Sequence, residues 1–269
     1  MQPCVGPSTR YLAREARGVK AAAIVSVRVP RLGRRTAAAS TEPPVITYVD
    51  EASRFAPGEV SVMIEKPSFS SRRLIAATSI LAPPERVWEA LTDYDGLGQF
   101  IPSLVENRCL ERRERGAVLY QVGAQDVAMG VKFRAACTLE ITEHPSGLPS
   151  AMCMEEDSAV SSMDEGDGEH LFPWPVQSLP GKAIHGDITF DLLKGDFADF
   201  RGLWRIQQGL QGPDSSWLVY SLFVRPQAWL PVGLIQNRIS AEVVSNLRAV
   251  QQHTEQMHSL RAEAAAPAL

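Results

Sequence analysis

From Trp229-Leu230-Pro231 the chain runs about 30 residues to Arg261 with no further proline and a single glycine, Gly233. Pro231 suits a first helical position, where its fixed φ is already helical and its missing N–H has no partner to lose. Beyond it Val232, Ile235, Ile239, Val243, Leu247 and Val250 recur every three or four residues, and Met257 and Leu260 resume the stripe. That period is helical, and it predicts Gln236, Arg238, Glu242, Asn246 and Gln252 on the opposite face. At 1.5 Å per residue the helix would be roughly 45 Å long. Its stripe needs an apolar surface of similar length to cover it, and the segments before it read as strands. The expectation is an α+β fold in which a curved antiparallel sheet wraps around the long C-terminal helix.

The strand signals are alternation and turn punctuation. Val60, Val62 and Ile64 alternate with Ser61, Met63 and Glu65, and Arg73 to Leu81 is an apolar run stopped by Pro83-Pro84. A weaker strand signal spans Val45 to Val49. Pro83-Pro84 opens a short helix carrying Val87, Trp88, Ala90 and Leu91, and a second turn through Leu97 to Ile101 is closed by Pro102. Trp88 is expected in the core. Further strands read as Val105 to Arg112, Ala117 to Ala124, Val131 to Thr142, Ser150 to Glu155, Ile188 to Leu192, Gly202 to Gln208 and Trp217 to Val224. Breaks at Arg115-Gly116, Met129-Gly130, Pro145-Ser146-Gly147 and Gln211-Gly212-Pro213-Asp214 separate them.

Residues 156–187 interrupt this pattern: acidic first, then apolar and proline-bounded at Leu171-Phe172-Pro173-Trp174-Pro175. A stretch this long without periodicity is a lid or a loop. Phe172 and Trp174, if exposed, suit peripheral contact with a membrane interface or a ligand entrance.

Charge divides the chain. Residues 1–40 hold eight Arg or Lys against one acid, Glu15, and the remainder of the chain has 19 basic residues against 30 acidic ones. The acidic body argues against nucleic acid as partner, because phosphate binding requires clustered positive charge. The Arg-rich, Ala-rich leader has the composition of an organelle transit peptide, chloroplast or mitochondrial, and is expected to be disordered. Residues 41–57 then read as a linker or extra strand, 58–262 as the folded domain and 263–269 as a tail. Hydrophobic content of 45% and charged content of 22% fit a globular chain. No apolar run reaches the ~18 to 20 residues of a membrane-spanning helix. Cys109, Cys137 and Cys153 form no C-x-x-C pair, and the five histidines are scattered. No metal-ligand spacing and no cofactor motif is present, so neither metal nor cofactor is expected.

Ala82-Pro83-Pro84-Glu85-Arg86-Val87-Trp88-Glu89-Ala90-Leu91-Thr92-Asp93-Tyr94, followed by Phe100-Ile101-Pro102, resembles the opening of the polyketide cyclase/dehydrase and lipid-transport family. More specifically it is similar to the coenzyme Q-binding START-domain branch of plants and algae. Gly195-Asp196-Phe197, Phe200, Gly202 and Trp204 resemble that branch's middle strands, and Trp229-Leu230-Pro231 with Asn246-Leu247 its final helix. The resemblance covers roughly residues 58–255, and the segment 156–187 departs from it. It implies the helix-grip, START-like fold, a plastid setting and a lipid or quinone ligand, on a scaffold that hosts carriers and enzymes alike.

A sheet gripping a helix leaves a hollow between them, where apolar ligands bind. Strand parity places Tyr120, Val122, Phe133, Cys137, Ile188, Phe190, Trp204, Ile206, Tyr220 and Leu222 inward, with Ile235 and Ile239 from the helix. As a set they fit an isoprenoid tail, with Tyr120 or Tyr220 available to a carbonyl. The same parity sends Lys132, Arg134, Glu140, Asp187, Asp191 and Arg205 outward, away from any substrate. Without a convergent acid and base, the residues favour a carrier of a hydrophobic small molecule over an enzyme. A cyclase reading would draw on Tyr120, Tyr220 and Asp126. A third reading is an assembly factor that holds another protein.

Overall fold

The protein is described by a computed structural model over residues 24–27, 47–48, 59–126, 132–149, 153–154, 174–175, 178–179, 181–228 and 232–265. Two short strands, β1 (Ile24–Val27) and β2 (Thr47–Tyr48), precede β3 (Val60–Glu65) and β4 (Arg72–Ile80). Helices α1 (Pro84–Thr92) and α2 (Leu97–Phe100) follow. Next come β5 (Leu104–Arg113), β6 (Gly116–Asp126), β7 (Lys132–Pro145), β8 (Cys153–Met154) and β9 (Trp174–Pro175). The chain ends with β10 (Ile184–Gly195), β11 (Phe197–Gln208), β12 (Ser216–Pro226) and α3 (Val232–Ala265).

Ten strands form one curved antiparallel sheet in the order β2-β1-β3-β4-β12-β11-β10-β7-β6-β5, while β8 and β9 pair separately. The topology follows from where the helices fall. After β4 the prolines at 83 and 84 end the strand and set α1 at its first turn. Helices α1 and α2 then carry the chain to the far edge. From β5 the strands meander back, through long hairpins, until β12 pairs with β4. The fold is the expected helix grip.

The central strands show why the order is stable. In β4 and β12 nearly every side chain is buried, on both faces. On the concave face Leu74, Ala76, Ile80, Leu218, Leu222 and Val224 join the main core beneath α3. On the convex face Ile75, Ala77, Trp217 and Val219 form a smaller cluster with Leu179.

Helix α3 is 34 residues long, about 50 Å at 1.5 Å per residue. It leans on one half of the sheet, packing chiefly on β4 with β3 and β12, and against α1 and α2. Val243, Val244, Leu247 and Val250 supply its buried stripe. Polar clamps fix its position: Gln251 donates to the Ser79 carbonyl (2.9 Å), Glu255 accepts from the Leu81 amide (2.9 Å), and Arg261 pairs with Glu89 (2.8 Å). The imidazole of His253 stacks on Phe100 of α2 at 4.1 Å. The stripe ends sooner than its period implies. Met257 and Leu260 are 41% and 50% exposed, because the helix outruns the sheet beneath it.

Ile24–Val27, within the stretch expected as a leader, pairs with β3 in register Val25↔Val62. Of the strand expected over Ser150 to Glu155, Cys153–Met154 lies among the described residues and pairs with β9 outside the main sheet. Asp187 and Arg205 do face away from the helix, but they are not wet. They sit opposite each other on β10 and β11, and both are buried. Arg205 donates twice to the Asp187 carboxylate, at 2.8 and 2.6 Å, and once to Ser178 at 2.6 Å. The Leu148 amide donates to the same carboxylate at 2.7 Å. This pair pins the strand-connecting segments around Leu148 and Ser178 over the convex face.

Removing one partner of a buried ion pair leaves the other charged and unsolvated, which typically costs about 3 to 5 kcal/mol. Asp187→Ala is therefore expected to lower unfolding stability by that order, read as a fall in the urea midpoint. Reversing an exposed pair such as Arg112–Asp95 is expected to change it by less than about 1 kcal/mol.

Candidate functional site

Because α3 packs on β3, β4 and β12, the space over the other half of the concave face is not filled by it. A cavity of about 180 Å³ remains there, under the free side of the helix. Its floor is apolar: Leu139 and Ile141 of β7, Ile188 and Phe190 of β10, and Leu222 of β12. One end is closed by Leu91 of α1, by Tyr94 just after it, and by Leu97 and Ile101 around α2. The Tyr94 hydroxyl donates to the Glu143 carboxylate at 2.5 Å, which fixes that closing ring.

Aromatic rings narrow the space. Phe190 stacks on Tyr220 at 5.7 Å, Trp204 lies 4.1 Å from Tyr220, and Phe200 meets both Phe190 and Phe197. Gly202 makes this cluster possible. A Cβ there would stand 2.2 Å from the Phe190 ring and 2.2 Å from the Ser221 carbonyl oxygen. Gly202 thus provides room for a ring, while Gly195 stands at the turn from β10 into β11.

The roof carries the cavity's charged groups. Arg238, Glu242 and Asn246, one helical turn apart on α3, line the cavity with Ile239 and Val243. Asn246 accepts from the Ser103 hydroxyl at 2.9 Å. Gln121 of β6 donates to Asn107 at 3.0 Å, and Asn107 donates to the Tyr94 carbonyl at 2.7 Å. Burial pushes the Glu242 carboxyl up to about 7, against the downward pull of Arg238. The Tyr220 phenol is raised as well, first by burial and then by the negative charge of Glu242. Burial, helped by Asp196, pushes the Cys137 thiol up to about 12, so it is no thiolate nucleophile at neutral pH.

Of the twelve residues expected to face inward, Cys137, Ile188, Phe190, Trp204, Tyr220, Leu222 and Ile239 line this cavity. Tyr120 and Val122 do not. The β6–β7 register pairs Gln121 with Cys137 and Leu119 with Leu139, and directly paired residues share a face. Hence the odd-numbered residues of β6 face the helix. Tyr120 instead lies under the Arg108 guanidinium at 4.7 Å. The side chains of Phe133, Ile235 and Asp126 lie outside the described residues, as do Phe172 and the Trp174 side chain. Ile206 is buried in the core without lining the cavity.

Sequence reasoning misses Arg238, Glu242 and Asn246 by assigning them to a solvated face. The i, i+4, i+8 spacing of three polar residues beside Ile239 and Val243 is the available signal. Apolar residues flank that row, as they would flank a row that faces a partly apolar hollow. Among the described residues no cluster of His, Cys, Asp and Glu could hold a metal ion, and no helix is long and apolar enough to cross a membrane.

Glu242 sets a pH dependence. Its folded-state value lies above the usual carboxylate range, so it stabilises nothing by being charged. Below about pH 4.5 it is protonated folded or unfolded and costs nothing; the cost grows as pH rises toward 7. At about 1.4 kcal/mol per pKa unit the full shift is worth about 3 kcal/mol, an upper bound for a half-buried group. Glu242→Gln is expected to match the wild type at pH 4 and to be the more stable protein at pH 8. Urea midpoints across that range check it.

Compared with known proteins, residues 80–250, well over half of the chain, match the family described as polyketide cyclase/dehydrase and lipid transport. No curated protein matches the chain. Among solved structures, the Zhui aromatase/cyclase from Streptomyces sp. R1128 is 17% identical, with 69% of this chain and 94% of that one covered and a TM-score of 0.46. The STAR-related lipid transfer protein fragment from Xanthomonas axonopodis is 12% identical, with coverages of 73% and 92% and a TM-score of 0.49. A START superfamily protein from Mycobacterium smegmatis is 15% identical, with coverages of 69% and 98% and a TM-score of 0.46. On the family match, the chain belongs to the polyketide cyclase/dehydrase and lipid transport family.

Proposed function

We propose that the chain binds and carries a hydrophobic small molecule in the cavity beneath α3. The observation that carries this reading is the lining itself: an apolar floor, with the charged side chains Arg238 and Glu242 together on one side, the α3 roof. Such a site holds its ligand by burial, at roughly 25 cal/mol per Å² of apolar surface removed from water, and orients it by a few polar contacts.

Volume limits the ligand. Drug-sized ligand pockets run from about 300 to 1,000 Å³, and a dry cavity of about 150 Å³ holds one benzene ring. At about 180 Å³ the cavity takes a single ring or short chain, with the rest of any longer molecule lying outside it. The ring of a prenylquinone, or the head of another isoprenoid lipid, fits this description. The coenzyme Q-type ligand is thus the ring-in, tail-out version of the proposal. With residues 1–40 taken as a transit peptide, its place of action is the chloroplast or, failing that, the mitochondrion.

One observation favours a second reading. A carboxyl held near 7 beside a buried phenol is suited to moving protons at neutral pH, as a cyclase or dehydrase requires. In that case Glu242 is the acid–base group and Tyr220 its partner.

Organic extraction of the purified chain followed by mass spectrometry separates the two. A carrier is expected to yield a lipid or quinone near one equivalent. Ile239→Trp, which fills the cavity from the helix side, is expected to lower that yield at least about tenfold with circular dichroism unchanged. An empty protein that turns over a polyketide analogue, and stops doing so in Glu242→Gln, would establish the enzyme instead.

A further inference from the structure

Resting on the carrier reading, we infer that the cavity selects a compact ring bearing a hydroxyl group, placed between Glu242 of α3 and Tyr220 of β12. The cavity's other polar groups are largely engaged. Ser103 is bonded to Asn246, Gln121 to Asn107, and Tyr94 to Glu143. Among the described residues none hydrogen-bonds the Glu242 carboxylate or the Tyr220 hydroxyl, though both side chains line the cavity. They lie close enough for the charge of one to act on the other.

An acceptor and a donor that face the cavity must each find a partner once a ligand displaces water from around them, or their desolvation goes uncompensated. A ligand hydroxyl relieves both, since it donates one hydrogen bond to the carboxylate and accepts one from the phenol. A ketone or ether satisfies Tyr220 and leaves Glu242 unmet. A pure hydrocarbon satisfies neither. A ligand carboxylate would set a second negative charge beside Glu242. Arg238 acts on the first by pulling the Glu242 carboxyl downward. Among neutral ligands the site therefore discriminates by hydrogen bonding. The volume of about 180 Å³ sets the size class at one substituted ring.

Three molecules of nearly one size test this: toluene, 4-methylanisole and p-cresol, titrated calorimetrically into the full-length chain at pH 8 after solvent extraction. We expect p-cresol to bind at least about tenfold more tightly than either of the others, the discrimination typical of a site with polar groups to satisfy. In Glu242→Leu the advantage should fall to about twofold or less. In Tyr220→Phe it should shrink severalfold while toluene binding holds, which a general loss of structure would not produce. Equal affinity of the wild type for all three overturns the hydroxyl inference and leaves the carrier standing. Failure of all three to bind, with no lipid in the extract, overturns both.

Discussion

The seat of α3 on the sheet decides the rest of the molecule. A 34-residue helix can bury its stripe against one band of a curved sheet, and here that band is β4 with its neighbours β3 and β12. The stacked rings of Phe190, Tyr220 and Trp204 stand on β10, β12 and β11, where their bulk rises beside the helix. The clamps from Gln251 to Ser79 and from Leu81 to Glu255 hold the helix over β4 rather than over β10. A hollow on the free side follows from that asymmetry. Close packing is the rule in protein interiors, so a cavity bounded by rigid rings and a clamped helix is a built feature of the architecture.

The α3 roof then carries two kinds of side chain for two reasons. Its core stripe of Val243, Val244, Leu247 and Val250 holds the helix down. Its adjoining row of Arg238, Glu242 and Asn246 faces space that no strand fills. Burying a carboxyl there costs free energy, visible in the upward shift of Glu242. Three apolar residues in that row would stabilise the fold and favour collapse of the hollow. The polar row thus trades stability for a cavity that stays open and chemically specific.

The fold was legible from the sequence because each level agreed. Proline at 83 and 84, alternation in β3 and β12, and the long periodic helix all point to one grip. The site was half legible. Parity worked for Phe190, Trp204, Tyr220 and Leu222, whose strands bury a clearly apolar inner row. It failed on β6, where Val118, Tyr120 and Val122 look more apolar than Ala117, Leu119, Gln121 and Gly123. Only the pairing of Gln121 with Cys137 reveals which row faces in. A hollow admits polar and small residues on its walls, so hydrophobicity stops reporting direction where function begins. Glu242 was misplaced for the same reason: period says which residues share a face, and not what that face meets.

Carrier and cyclase readings share their first step, the capture of a mostly apolar molecule with one polar end under α3. They divide on what Glu242 does next. A carboxyl held near 7 binds well as an acceptor when ionised and as a donor when protonated, so binding alone needs no proton to move. Chemistry needs the proton to move and return, and the phenol of Tyr220, whose ionisation burial and Glu242 both oppose, is a poor second group for it. The thiol of Cys137 is no better placed, since burial keeps it protonated. An acid–base cycle in this cavity would therefore have to run through the Glu242 carboxyl alone or through the ligand. Holding a hydroxyl between two fixed partners asks for neither, and that economy of requirement is the physical reason to rank carriage first.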